Sequence, residues 1–551
     1  MSRSFDMIAS VRLIVGLEIH VELATRTKVF SRVTNPAHAS VGDIAPNTLI
    51  DPVVLALPGA LPVLNKEAVE MSMMVGFALN CTIADLTKWD RKSYFYPDLP
   101  KAYQISQYDL PVCFDGSVDL PAVDDKGFPD LTKPSKQIGI IRAHLEEDAG
   151  KLLHEAPGGF AIDYSIADYN RAGTPLLEIV TQPDFDNADD VVLFAKLLRN
   201  VCRFLGVSEG VMQKGHMRFE PNINCVLTLR DGHTVKTPIV EVKNLNSFKS
   251  VKGAIEFELR EQPGRWVADG REFGPGTKVT RGWDDHANRT YVQREKEDAQ
   301  DYRYFPDPDI LTLRIDEAWK NRVRTAVPEL PMQRFERYVR DASLGVKEAF
   351  ALVEERDVCY FYEAIIDGMV MQGIERPRAS KVAANLVLQQ AFKRANEQNL
   401  LASEIGITAH EAAAIGILRE QGKLGNQAVD ELFDLLCTAN LVQGRATDPG
   451  SAGSVPSSSQ PPTTQIKDQL HTAFARVEQF AREWGLLIVR DDAAINTAIE
   501  QTIAANPKVA EDVRAGKVQA VGRLVGEVMK LAPGKGDAKT VREELLKRLT
   551  P

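Results

Sequence analysis

The chain has 551 residues, 44% of them hydrophobic, with 66 Lys and Arg against 76 Asp and Glu, for a formal net charge of −10. This size and apolar content suit an enzyme of roughly three or four domains, and the acidic balance excludes nucleic-acid binding over the whole surface while leaving room for a local basic patch. Six scattered cysteines (Cys81, Cys113, Cys202, Cys225, Cys359 and Cys437) form no CxxC pair, which speaks against a disulfide framework or a cysteine-rich zinc site and for reduced, buried thiols.

The opening MSRSFDMIASVRLIVGLEIHVEL interrupts its apolar run with Arg12, Glu18, His20 and Glu22, so it fits neither a secretory signal nor a spanning helix. A cytoplasmic protein with no membrane association is expected. Residues 15 to 23 read as a strand with Val15, Leu17, Ile19, Val21 and Leu23 on one face and Gly16, Glu18, His20 and Glu22 on the other. HLEEDAGK at 144 to 151 follows, with two adjacent carboxylates, a third acid, a histidine and a lysine. Neighbouring carboxylates repel and are costly to desolvate, so such a stretch either faces water or shares a cation. A set rich in oxygen ligands favours Mg²⁺ or Ca²⁺ over zinc or copper.

Glu147 shares strand parity with Ile141 and Leu145, and Glu178 with Leu176 and Val180, so both are expected on one otherwise apolar face, with Glu146 turned to solvent or Arg142. A helix is expected over 187 to 205, opening near Asn187. The alternation returns in 217 to 227, where Arg218, Glu220, Asn222 and Asn224 share the polar face, and again in 239 to 243, with a helix opening at Ser247.

From about 325 to 441 the apolar period becomes 3.6, with helical runs at 379 to 397 and 409 to 421. Residues 444 to 465, GRATDPGSAGSVPSSSQPPTTQ, lose all periodicity and read as a linker. Beyond it, Val513, Val518, Val521, Leu524, Val525 and Val528 are expected to form one helical stripe. Residues 501 to 551 hold ten Lys and Arg against six Asp and Glu, +4 in all, so this end is the candidate for a polyanionic partner. The expected fold is α+β: an antiparallel β-rich cradle with inserted helices (1–310), a helical domain (311–443), a linker (444–466) and a small all-α tail domain (467–551).

There is no GxxxxGK[ST], GxGxxG or HExxH, so any nucleotide phosphates must be held through a metal, scattered lysines and backbone amides. The chain resembles the B subunits of the glutamyl/aspartyl-tRNA amidotransferases through VGLEIHVEL (15–23), LPGALPVLNK (57–66), RKSYFYPDLPKAYQISQYDLPV (91–112), IRAHLEEDAGKLLHE (141–155), DYNRAGTPLLEIVTQPD (168–184), VEVKNLNSFKSV (240–251) and DYRYFPDPD (301–309), and more loosely through 506–530. The resemblance implies an ATP- and Mg²⁺-dependent ligase that works within a complex. It would phosphorylate the side-chain carboxylate of glutamate or aspartate misacylated onto tRNA, then amidate it with ammonia from a glutamine-hydrolysing amidase, the A subunit, while a small C subunit holds the pair together. The competing reading is a non-catalytic tRNA-binding or assembly protein.

Carried onto this chain, the resemblance implies metal ligands Glu18, His20, Glu147, Glu178, Glu220 and Glu241, with Glu147, Glu178 and Lys101 catalytic. Tyr96, Lys101, Tyr103, Ser106, Lys243 and Asn244 are the implied nucleotide contacts. Two departures stand out. Where many members carry two cysteine pairs that hold zinc, this chain reads FSRV (30–33) and DPVV (51–54), so no zinc is expected; and MRFEPN (217–222) puts Glu220 where aspartate is usual.

Overall fold

The computed structural model describes residues 3–42, 44–156, 159–295, 302–442, 463–488, 492–515, 517–532 and 538–549. The chain divides into two compact units, Met1–Pro331 and Met332–Pro551. In the first, the elements are β1 (Ile8–Glu22), α1 (Lys66–Ala78), β2 (Thr82–Ile83), β3 (Leu86–Thr87), β4 (Asp90–Ser93), β5 (Tyr103–Ser106), β6 (Cys113–Leu120), β7 (Lys136–Glu147), β8 (Lys151–Ala156), β9 (Phe160–Asp168), β10 (Pro175–Thr181), α2 (Ala188–Phe204), β11 (Met217–Leu229), β12 (Thr234–Lys236), β13 (Val240–Lys243), α3 (Phe248–Asp269), β14 (Val279–Asp284), β15 (Arg289–Glu295), β16 (Phe305–Pro306), β17 (Leu313–Arg314) and α4 (Glu317–Ala326).

A ten-stranded sheet runs in the order β15, β14, β13, β11, β1, β10, β7, β6, β2, with β12 beside β11. Its pairs are antiparallel except β13 and β14, which are parallel. Parallel neighbours need a crossover, and α3 supplies it. The fold is thus α+β around a mixed sheet whose antiparallel part carries the site.

The apolar parity of β1 decides where the core lies. Val15, Leu17, Ile19 and Val21 are buried together with Leu145, Leu177, Ile179, Phe219 and Ile223 from neighbouring strands, in one cluster with Met73 of α1, Phe194 of α2 and Ile255 of α3. Helix α2 starts where Asn187 accepts the Asp190 N–H at 2.8 Å, and α3 where Ser247 accepts that of Ser250 at 3.0 Å, each side chain satisfying a free helix N–H. The six cysteines are free and buried.

The first unit continues beyond 310 because β17 pairs with β3 and α4 packs on α1. In the second unit, α5 (Pro331–Asp341), α6 (Val346–Val353), α7 (Arg356–Met371), α8 (Arg376–Asn385), α9 (Phe392–Gln398), α10 (Ala409–Glu420) and α11 (Asn426–Val442) are followed by α12 (Thr463–Glu483), α13 (Asp492–Ala505), α14 (Pro507–Arg514), α15 (Val521–Leu531) and α16 (Ala538–Leu549). A π-helical turn at Leu386–Ala391 joins α8 to α9.

Most of the expected linker, from 444 to 462, lies outside the described residues. Helix α12, at the head of the expected tail, packs on α10, while Ile499, Val513, Leu524, Val528 and Leu545 close a separate small core. The single stripe expected over 513 to 528 is corrected: the helix ends at Arg514, a 3₁₀ turn covers Val518–Ala520, and Val518 is exposed. Among the described residues, no helix is long and apolar enough to cross a membrane.

Candidate active site

Directly opposed residues of antiparallel strands share a face, and the register therefore assembles the site row by row. His144 of β7 pairs with Glu178 of β10, Glu178 with His20 of β1, and His20 with Arg218 of β11. The next row places Glu18 beside Val180 and Glu220, and β13 continues the face where Asn222 pairs with Glu241. This polar face, opposite the helix-covered core, lines a cleft of about 1170 Å³.

His20 sits between the acids. Its Nε2 is 3.4 Å from Glu178 and 3.8 Å from Glu18, and its Nδ1 is 3.9 Å from Glu220. Burial alone would push the imidazole pKa down, but the hydrogen bond to Glu178 and the charges of Glu220 and Glu178 raise it to about 9. Burial likewise opposes ionisation of Glu178, yet His144 and His20 hold its pKa well below the usual carboxylate range. Glu18 goes the other way: burial, then the charges of Glu178, Glu220 and Glu241, raise its pKa despite His20. Farther along, burial and the adjacent Asp148 raise Glu22 to about 8.

Cations rim the acids. Lys243 reaches Glu220 at 2.5 Å and Glu241 at 3.2 Å, and Lys278 reaches Glu241 at 3.0 Å. Lys92 lines the cleft with its ammonium 5.0 Å from the Tyr302 ring; burial opposes its charge, but Glu146, Tyr304 and Glu178 more than restore it.

Five expected residues line the cleft together: Glu18, His20, Glu178, Glu220 and Lys243, with exposed Tyr96 at its edge. Glu241 is on the same face but wholly buried. The expected placement of the HLEED acids is corrected. Because His144 opposes Glu178, Glu146 belongs to the polar face and Glu147 to the opposite one; a register shift beside Arg142 and Ile140 also breaks the parity drawn through Ile141. Glu146 is buried, accepts from Ser106 at 2.8 Å and lies 3.6 Å from His144. Glu147 instead accepts from Lys101 at 2.5 Å and from the Ile105 N–H at 2.9 Å, and lines a separate crevice with Lys101, Tyr103 and Lys28.

Lys101, Tyr103 and Glu147 thus form one group and the acid cluster another. Ser106 belongs with the cluster through Glu146. Asn244, left-handed at φ 64°, turns its amide to the Tyr291 hydroxyl at 3.4 Å. At the FSRV and DPVV stretches, Ser31 donates to Asp51 at 2.6 Å, and Phe30 and Val54 are buried.

The residues present fit a divalent cation. Two triads of ligand atoms, Glu18 with His20 and Glu220, and His20 with Glu146 and Glu178, each lie within 4.8 Å and share His20. On the same face His20 Nδ1, Arg218 Nε and Asn222 Oδ1 are buried without hydrogen-bond partners among the described residues. Native interiors rarely leave such groups unsatisfied except where a ligand, ion or water completes them. His144, Glu146, Lys92, Asp148, Arg171 and Arg218 line or adjoin the cleft although the expected site set lacks them; period two through HLEED, anchored on His144 rather than Glu147, is the signal that finds two of them.

An acid-walled cleft with cation-binding geometry and a basic rim has the chemistry to hold a divalent cation and oxyanions together. The comparisons give the family. Residues 13–321 match the GatB/GatE catalytic domain, and residues 462–549 match the GatB domain. The chain is 37% identical over 537 residues to the B subunit of the aspartyl/glutamyl-tRNA(Asn/Gln) amidotransferase of Rhodopirellula baltica, covering 97% of this chain and 96% of the relative. It is 38% identical to the B subunit of the same description from Nostoc punctiforme, with 97% of each covered, and 35% identical to that of Caldicellulosiruptor bescii, with 98% of each covered. The chain belongs to the GatB family, the B subunits of these amidotransferases.

Proposed function

We propose that this chain is the activating component of a tRNA-dependent amidotransferase, working with an amidase (the A subunit) and a small C subunit on glutamate or aspartate misacylated onto tRNA(Gln) or tRNA(Asn). The carrying observation is the meeting of Glu18, His20, Glu146, Glu178 and Glu220 on one sheet face, framed by Lys92, Lys243 and Arg218. Family membership supplies the reaction.

A carboxylate is a poor acyl donor because its leaving group would be oxide. Phosphoryl transfer from ATP converts that group into phosphate, which ammonia from the amidase then displaces to give the amide. A divalent cation such as Mg²⁺, held by Glu18, His20, Glu146, Glu178 and Glu220, would supply charge neutralisation for the crowded oxyanions. His20 must give up its proton to serve as a ligand, so this set has a built-in exchange of proton for metal.

The chain's own groups do the rest. His144 accepts from Arg142 on Nδ1 at 3.4 Å, and its Nε2 faces the Glu146 and Glu178 carboxylates at 3.6 and 3.7 Å. Lys92 and Lys243 offset charge without joining the acid triads. Tyr94 and Tyr302, ring centroids 5.9 Å apart, wall the cleft near Lys92. The basic 501–551 segment is the natural contact for tRNA.

The test is conversion of Glu-tRNA and Asp-tRNA to their amides by the co-purified complex with ATP, Mg²⁺ and either glutamine or ammonium. Amide formation is expected with both nitrogen sources. An intact complex that binds the tRNAs yet forms amide with neither source would leave the reading of a non-catalytic binding protein as the better account.

A further inference from the structure

Next to the acid cluster two arginines enter the cleft. Arg171, in the turn before β10, and Arg218, on β11, converge on one carboxylate oxygen: Asp148 Oδ2 is 2.8 Å from Arg218 Nη2 and 3.5 Å from Arg171 Nε. Two guanidiniums on a single carboxylate repel one another, a cost that the nearby Glu22 and Asp98 offset in part. Arg171 is fixed from behind, its Nε donating to Ala149 O at 3.0 Å and its Nη2 to Gly150 O at 2.8 Å. Both side chains line the cleft and are 31% exposed, and Arg218 Nε is buried with no acceptor among the described residues. Asp98, also lining the cleft, feels the charge of Arg171 and would compete with an anion for it. The Arg218 side chain neighbours His20 in the same row, so an anion resting on the arginines borders the acid cluster.

The aminoacyl end of a misacylated tRNA carries one negative group, the side-chain carboxylate, because its α-carboxyl is esterified. Guanidinium matches a planar carboxylate with paired, charge-assisted hydrogen bonds, and a neutral amide forfeits that gain. We propose that Arg171 and Arg218 form a clamp for the side-chain carboxylate of the aminoacyl group, recognising the acid substrate over the amide product. The clamp rests on the proposed amidotransferase reading and adds to it a specificity device. It makes amide formation self-releasing, since the reaction removes the charge that the arginines hold.

The test uses the complete complex without ATP, measuring competitive binding of Glu-tRNA and Gln-tRNA, followed by steady-state kinetics. Wild type should prefer the acid form. Arg171→Gln should weaken Glu-tRNA binding by about 10-fold or more, the worth of charged hydrogen bonds, leave Gln-tRNA and the KM for ATP unchanged, and so erase the preference. Arg171→Lys keeps the charge but loses the fork, and should fall between. Should Arg171→Gln prove unstable, Arg171→Lys and Arg218→Lys should each show the intermediate loss of acid preference. A raised KM for ATP with the acid preference intact would assign the arginines to nucleotide phosphate and overturn the clamp. Unchanged values for both substrates would overturn it too. If the wild-type complex makes no amide at all, the underlying reading fails, an outcome told apart by the wild-type control.

Discussion

Glu411 in the helical unit is a buried acid and Glu18 in the sheet unit a half-buried one, and their surroundings differ in kind. Glu411 closes a capping box with Thr408, accepts from Asn440 at 2.9 Å and is paired with Arg476. Its charge is consumed by donors. Glu18 lies 3.8 Å from His20 and stands among Glu178, Glu220 and Glu241, whose charges raise its pKa. A buried acid paired with a cation and held by hydroxyl and amide donors serves the structure; one crowded by other acids is reserved for a ligand.

The largest expected effect breaks that contrast at Glu18. Glu18→Gln keeps the shape and removes a repelled charge, so the thermal midpoint of the free chain should hold or rise. Amide formation by the complex should fall on the order of 10³-fold if Glu18 serves the transition state electrostatically. A variant that unfolds early but turns over normally would make Glu18 structural. Glu411→Ala should do the reverse. Removing one partner of a buried pair strands Arg476 and Asn440, for a loss of about 3 to 5 kcal/mol, read as a lowered denaturation midpoint of the helical unit and faster local hydrogen exchange. Stability within error of wild type would erase the distinction.

Titration separates the same two regions. In the helical unit, burial opposes the charge of Glu363, but Arg334, Arg337 and Tyr338 hold its pKa below 4.5. Its contribution is complete above that value and is lost as pH falls through the folded pKa. In the sheet unit, Glu22 is raised from 4.5 to about 8 and His20 from 6.5 to about 9. Both groups hold their protons more tightly when folded, so their contribution is present at low pH and disappears as pH rises through those windows. Hydrogen exchange across pH 4 to 9 should show the sheet strands loosening on the alkaline side while α7 weakens only on acidification; loss on the same side in both would contradict the assignment.

The sequence carried much of this contrast. Alternation in β1 and β11 placed Glu18, His20, Arg218 and Glu220 on one face because period two needs no tertiary knowledge. What it lacked was register. Deciding between Glu146 and Glu147 depends on His144 lying opposite Glu178, a long-range pairing that no local pattern encodes, and on a shift beside Arg142. The extension of the first unit past 310 was hidden for a similar reason, since β17 is two residues long and acquires meaning only beside β3. Lys92 and Arg171 escaped notice because loops and short strands bring them to the cleft without periodicity.

Glu220→Asp makes the smallest and sharpest test, because it restores the residue usual in the family while keeping the charge. Shortening by one methylene withdraws the carboxylate from Lys243, now at 2.5 Å, and Lys243 retains Glu241 at 3.2 Å. A structural ion pair depends on that reach and would weaken. A ligand site tolerates it when the cation moves with the donor, so activity should change by less than about 10-fold, or roughly 1.4 kcal/mol, with the Mg²⁺ concentration for half-maximal rate shifting more than the KM for aminoacyl-tRNA. A change confined to the aminoacyl-tRNA term would place Glu220 with the arginine end of the cleft, and the boundary between acid cluster and clamp would then lie one row nearer to β13.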